Sequence, residues 1–253
     1  MDQLLQGIAE KKAELDRLRR RAPGSLSNLE HSHDIELTYT SNAIEGNTLT
    51  AVETTMVVEQ GITVGGKPLK DHLEAVDHFA ALGYVRALAR QADPLTEIDV
   101  RNLHRLVMLR SDPEIAGRYA DQGRYVLTDT GRHGFPPPAE VPALMGDFAR
   151  WLTGAVPTPE TAFTAHRQLV AMHPFNDGNG RTARRLMNLV LIRAGYPPVA
   201  VRPQDRAGYP DALQHAQSGR GHGAFDRLLY ERLDATLGDY VGAASRALPA
   251  PNR

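Results

Sequence analysis

Twelve consecutive residues hold most of the reactive chemistry of this chain: His173-Pro174-Phe175-Asn176-Asp177-Gly178-Asn179-Gly180-Arg181-Thr182-Ala183-Arg184. The segment reads as a loop between two helices. Gly178 and Gly180 allow positive φ and let a ligand approach the backbone closely. The helix that follows points free N–H groups back at the loop, which makes an anion site suited to phosphate. Arg181 and Arg184 are three apart, so both planar donor forks lie on one face of the first turn. Cations are poorly placed at a helix N-terminus, where the macrodipole is already positive, unless an anion arrives. Asp177 offers a hard oxygen suited to Mg²⁺ bridging phosphates. His173, at a helix end before a proline, is placed to take a proton from a hydroxyl near neutral pH. Base, metal ligand, phosphate turn and arginines together describe a nucleotide-phosphate transfer site.

Each piece alone has an ordinary structural reading. His-Pro-Phe ends helices, Asp-Gly-Asn-Gly makes turns, and arginine pairs on helices are usually solvated. Their coincidence in this order carries the functional reading. Rival motifs fail. Gly65-Gly66-Lys67-Pro68 does not fit a P-loop. Gly178 to Ala183 matches a dinucleotide-binding G-x-G-x-x-A only formally, because a helix rather than a strand precedes it. There is no His-Glu-x-x-His, and His31 and His33 read as surface or capping residues rather than ligands.

The elements that must position this loop are helical. Residues 2–21 place Leu4, Leu5, Ile8, Leu15 and Leu18 near one face, before Pro23-Gly24 stops the helix. Thr50 to Glu53 reads as a capping box with a stop at Gly61. Apolar stripes follow over 69–91, from Thr96 onward, and over 139–153. Thr158-Pro159 starts a helix that ends near His173, because Pro174 disfavours helical geometry in the residue before it. The next helix starts near Gly180 and stops at Gly195; the last covers about 224–242. Between 111 and 138, Tyr125 to Thr128 reads as a strand, Asp129 to Gly134 as turn and Phe135 to Pro138 as extended chain. The expectation is an all-α helical bundle with one small β-hairpin. Residues 1–50 form an N-terminal extension, 51–245 the main domain and 246–253 a tail.

Composition excludes several classes. The chain has 253 residues and no cysteine, so disulfides, thiolate nucleophiles and Cys-ligated zinc are out. With 29 basic and 30 acidic residues, the net charge of −1 argues against nucleic acid as a partner. No run of about 18 apolar residues exists to span a membrane. The amphipathic N-terminus lacks the apolar core of a secretory signal, and the absence of cysteine sets the expectation of a cytoplasmic location.

His173 to Arg184 matches H-P-F-x-[DE]-G-N-G-R-x-x-R at every defining position, and in this the chain resembles the Fic-domain proteins. Ser41-Asn42-Ala43-Ile44-Glu45-Gly46 is similar to that family's inhibitory motif, [ST]-x-x-x-E-[GN]. Its place ahead of the core resembles the subclass that includes the animal endoplasmic-reticulum Fic enzyme. The run Ala194 to Pro198 and the C-terminal helices are similar too, and the resemblance covers roughly residues 30–240. It implies the Fic fold with a hairpin flap and transfer of AMP from ATP, with Mg²⁺, to a Ser, Thr or Tyr hydroxyl of a target protein. Carried onto this sequence, His173 is the general base and Asp177 holds Mg²⁺. Gly178, Asn179, Gly180 and Arg181 form the anion turn, with Asn179 orienting phosphates, and Arg181 and Arg184 bind the β- and γ-phosphates. Arg132, His133, Gly134 and Phe135 lie on the flap nearest the nucleotide, and the flap clamps the target by strand addition. Arg206, Tyr209 and Gln217 fall at nucleotide-contacting positions; Pro210 replaces a frequent second Tyr, and Gln217 a frequent Asn. Ser41, Glu45 and Gly46 belong to an inhibitory helix, with Glu45 occupying Arg184 in place of the γ-phosphate. The resemblance also implies a homodimer. Two alternatives stand beside transfer: AMP removal, with Glu45 orienting water, and a nucleotide-sensing regulatory module.

Overall fold

The chain was analysed as a computed structural model that describes residues 1–21, 24, 26–128, 131–202, 205, 208–209, 212–213 and 221–247. Its helices are α1 (Asp2–Arg21), α2 (Ser27–Ile44), α3 (Ala51–Gln60), α4 (Leu69–Ala89), α5 (Glu97–Met108), α6 (Val141–Gly154), α7 (Pro159–Met172), α8 (Asn179–Arg193) and α9 (Gly223–Arg246). Two short strands, β1 (Tyr125–Thr128) and β2 (Gly131–Gly134), pair antiparallel between α5 and α6. The expected all-α bundle with one hairpin is what forms.

Local signals set the helix ends. Thr50 and Glu53 close a reciprocal capping box on α3, which ends in a left-handed Gly61. Thr96 and Asp99 do the same for α5, and Thr158 caps α7 ahead of Pro159. The centre of the bundle is α8, buried on all sides from Asn179 through Leu191 apart from Gly180. It packs against α7, α4 and α5, while α1 lies along α9. A helix enclosed on every side is normally apolar throughout. Here Arg181, Arg184, Arg185 and Asn188 are enclosed as well: Glu74 of α4 meets Arg181, Ser41 of α2 and the adjoining Glu45 meet Arg184, Asn188 pairs with the Val199 backbone, and Arg185 Nε and Nη2 have no hydrogen-bond partner among the described residues. Ile8, Leu15 and Leu18 of the N-terminal extension share one cluster with Leu229, Leu233 and Leu237.

One expectation about the hairpin changes: residues 131–134 are strand rather than turn, with Val126 opposite His133 and Leu127 opposite Arg132. No apolar stripe announced α2, because its enclosed face is largely polar: His33, Thr38, Thr40, Ser41 and Asn42 alongside Leu37. His31 is exposed, as expected, and meets Glu59; His33 is instead buried, with its Nδ1 3.1 Å from the Tyr240 hydroxyl. Among the described residues no helix is long and apolar enough to cross a membrane.

Candidate active site

The reactive loop begins where α7 is forced to stop. Pro174 keeps His173 out of helical geometry, and His173 takes a left-handed conformation with φ 47° and ψ 56°. Among the described residues it is the one non-glycine with positive φ, the kind of local strain that functional sites retain. The Nδ1–H of His173 faces the Val170 carbonyl at 3.3 Å, which leaves Nε2 with its lone pair. Phe135 stacks on the ring at 3.8 Å between centroids. Burial, helped by the Arg124 charge, pushes the His173 pKa down to about 4. The imidazole is therefore neutral at pH 7, as a proton acceptor must be.

Three braces hold the loop. Phe175 is fully buried and stacks face to face on His104 at 3.7 Å. His104 accepts from the Gly117 N–H at Nδ1 (2.9 Å), so its Nε2–H donates to the Asp177 carbonyl (3.0 Å). Arg124 donates to the carbonyls of His173 and Pro136, tying the flap to the loop. Asn179 closes the loop on itself: its Oδ1 accepts from Phe175 N–H at 2.9 Å and its Nδ2 donates to Phe175 O at 2.8 Å. That amide is buried and engaged at both ends, so a part for Asn179 in orienting phosphates falls to its backbone.

Behind the loop, α8 opens with free N–H groups. Gly178 is left-handed with φ 73°, and a Cβ there would strike the Met108 sulfur and crowd His104 Nε2. Asp177 Oδ1 accepts from Gly178 N–H, and Oδ2 faces Arg181 at 3.2 Å. Burial alone would raise the Asp177 pKa, but Arg181, the Gly178 N–H and Lys70 together hold it below the ordinary value. About half of the Asp177 side chain remains exposed. No group of three metal-ligating side chains exists among the described residues. One half-exposed, ionised carboxylate still fits Mg²⁺, which typically takes one or two carboxylates and draws its other ligands from phosphates and water. Arg181 is buried and meets Glu74 Oε1 at 3.0 Å, and Glu74 in turn accepts from Asn47 Nδ2.

Arg184 sits one turn further along α8 and is fully engaged. Its Nε donates to Ser41 Oγ (2.7 Å), and Nη2 donates to Ser41 O (3.0 Å) and Glu45 Oε1 (2.6 Å). Glu45 follows the last residue of α2, and Gly46, with φ 95°, turns the chain away behind it. The Glu45 carboxylate lies directly over Gly180, where any Cβ would collide with it. Tyr209 is buried against Arg184, and its hydroxyl is 2.7 Å from His166 Nε2. Burial pushes His166 to about 3, so it stays neutral beside the guanidinium.

On the flap, Phe135 reaches His173 and His133 meets Phe135 edge-on. Gly134 pairs with Tyr125. Arg132 lies flat over the Tyr125 ring at 3.4 Å rather than turning to the site, the cation–π contact of an exposed guanidinium. Arg206, Pro210 and Gln217 lie outside the described residues. Sequence reasoning missed His104, Arg124 and Glu74. Their partners are distant in sequence, and no spacing rule marks them.

Comparison with known proteins agrees with this geometry. The model of the Fic/DOC family matches residues 94–191. The protein adenylyltransferase Fic of Aedes aegypti is 37% identical over 226 residues, covering 87% of this chain and 44% of that protein. The protein of the same name from Nematostella vectensis is 41% identical over 186 residues, covering 72% and 43%. This chain thus spans less than half the length of the curated relatives it matches. Among solved structures, a Fic domain containing signaling protein from Bacteroides thetaiotaomicron superposes with a TM-score of 0.88 at 30% identity, over 96% of this chain and 99% of that one. Fic-1 of C. elegans, residues 134–508, gives 0.83 at 31% identity, over 96% and 71%.

Proposed function

Because this chain belongs to the Fic/DOC family, we propose that it is a self-inhibited protein adenylyltransferase, moving AMP from ATP to a hydroxyl side chain of a target protein. The observation that carries the reading is a neutral His173, with a free Nε2, beside the open N-terminus of α8. In the reaction the hydroxyl oxygen of the target attacks the α-phosphorus, its proton passes to His173 Nε2, and the bond to the β-phosphate oxygen breaks to release pyrophosphate. The N–H groups at the start of α8 receive the phosphate oxygens, and Arg181 and Arg184 neutralise charge toward the leaving end. Asp177 would hold Mg²⁺, which supplies charge neutralisation across adjacent phosphates. Phe135 and Arg124 keep the flap over His173, and the strand edge of the flap receives the target backbone.

Inhibition follows from occupancy. Glu45 fills the Arg184 fork and lies over Gly180, so triphosphate and carboxylate compete for the same donors. We include in this reading a homodimer, tested by light scattering, and a cytoplasmic location, tested by fractionation of the native cell.

The test is label transfer onto the protein itself, with Mg²⁺, using ATP labelled at either the α- or the γ-phosphate. Label from α only, strongest in Glu45→Gly and absent in Glu45→Gly/His173→Ala, supports adenylyl transfer. Transfer of the γ-label, or no transfer by Glu45→Gly while it binds ATP, overturns it.

A further inference from the structure

A second concave site lies behind the reactive loop. Arg101 and Arg105 of α5, with Arg118 of the following segment, ring a cleft of about 380 Å³ floored by Gly117. All three side chains are exposed, and the Arg118 guanidinium donates to the Glu114 carbonyl. Among the described residues none of the three has a carboxylate within salt-bridge distance. Of the acids nearby, Glu97 accepts from the Tyr119 hydroxyl, Asp121 accepts from Asn176, and Glu114 offers Arg118 its backbone carbonyl with its carboxylate outside salt-bridge distance. With a net charge of −1 over the whole chain, three guanidiniums around one hollow, none in a salt bridge among the described residues, are a local concentration of charge.

The cleft is partly built in advance. Arg101 donates from Nε to the Gly117 carbonyl at 3.0 Å and lies 5.1 Å over the Tyr119 ring. Those two contacts fix the plane of its fork, and its terminal N–H groups stay free. Arginine forks match phosphate oxygens two at a time, and a fixed fork loses less freedom on binding. Asn102 adds a neutral amide to the same wall.

The floor of this cleft also belongs to the reactive loop. Gly117 gives its N–H to His104, and His104 gives its Nε2–H to the carbonyl of Asp177. A ligand seated on Arg101 and Gly117 is therefore two hydrogen bonds from the backbone of Asp177. There is little slack in that line: a Cβ on Gly117 would lie 3.1 Å from Arg105 Cβ and 3.2 Å from the Arg101 carbonyl.

We propose that this cleft is a second anion site that binds small oligophosphates and biases the reactive loop through Gly117 and His104. It is separate from the phosphate turn at Gly178 to Arg181, and its existence does not depend on the adenylyl-transfer reading.

The experiment follows backbone amide NMR shifts while inorganic triphosphate is added to the full chain, with sulfate at matched ionic strength as the control. The expected result is a saturable shift of Gly117 and its neighbours that sulfate does not reproduce. Its midpoint should move at least about tenfold to higher concentration in Arg105→Ser/Arg118→Ser, which removes two charge-assisted contacts. The shift of Gly117 should persist in Arg184→Ala, whose defect is confined to the other site. Three outcomes overturn the proposal: triphosphate moves only Gly178 and Gly180, sulfate matches triphosphate, or the double variant binds as the wild type does. Failure of adenylyl transfer would leave the Gly117 shift in place, so the two readings fail separately.

Discussion

Removing the Glu45 carboxylate should make ATP bind more tightly, by an amount the geometry bounds. Arg184 is buried, and its Nη2 donates to Glu45 Oε1 at 2.6 Å. A charge-assisted hydrogen bond to a buried cation contributes about 1.5–3 kcal/mol. The Glu45 side chain is 36% exposed, so solvent screens part of this. A net competition of about 2 kcal/mol corresponds to roughly thirtyfold in the apparent ATP dissociation constant. Glu45→Gly should show that gain, and Glu45→Gln, which keeps a bonding amide oxygen without the charge, should fall between. Folding should survive, because Arg184 retains Ser41 Oγ, Ser41 O and Tyr209. The assay is calorimetric titration of ATP with Mg²⁺ in a His173→Ala background, where turnover does not distort the isotherm. An affinity within about threefold of the Glu45 parent would refute competition for Arg184, and inhibition would need another cause.

Acid should destabilise the fold in a defined window. Burial lowers His104, His166 and His173 to about 4, about 3 and about 4, against an ordinary value of 6.5. The unfolded chain binds their protons first as pH falls, so stability is full above 6.5 and is lost as pH drops toward 4, by up to about 1.4 kcal/mol per unit for each histidine. Melting temperatures at pH 7.5, 5.5 and 4.5 should decline, and less steeply in His166→Gln; a flat series contradicts the depressed values. Over pH 6–8 label transfer by Glu45→Gly should show no step from His173, whereas a rise centred near 6.5 would mean an ordinary imidazole. His104→Ala leaves the Gly117 N–H and the Asp177 carbonyl without their shared partner, at about 2 kcal/mol, so Tm should fall by roughly 4–8 °C and transfer should weaken; an unchanged Tm removes the brace from the argument. Gly178→Ala forces a side chain into φ 73° against Met108 and should cost about 1–3 kcal/mol with loss of transfer, read by urea denaturation and labelling.

The sequence made the site legible where its chemistry is contiguous. His173, Asp177 and the Gly178–Arg184 turn lie in one loop, so their order alone places a base, a hard oxygen and an anion turn together. The caps at Thr50, Thr96 and Thr158 were legible for the same reason, since each works within three residues. What stayed hidden depends on distant pairing. His104 meets Asp177 across 73 positions and Arg124 meets the His173 carbonyl across 49, and neither contact leaves a periodic trace. Which part of Asn179 can serve was hidden too: an asparagine in a phosphate turn can act by backbone or by amide, and only the structure shows the amide spent on Phe175.

The polar character of α2 was the hardest feature to read, and it bears on the inhibition proposed above. Leu37 sits in a small cluster with Leu82 and Ala200, and only the partly buried Leu29 and Ile44 of α2 rest on the main core. The contact of α2 with Arg184 is made by a serine hydroxyl, a backbone carbonyl and a carboxylate. A helix held by aliphatic burial loses about 25 cal/mol for each Å² exposed when it shifts, with no replacement from solvent. A helix held by hydroxyl, carbonyl and carboxylate exchanges those bonds for water or for an incoming phosphate at small net cost. An inhibitor that must yield to a triphosphate is therefore better built from polar contacts. The same choice strips α2 of the apolar stripe by which a helix is recognised in sequence.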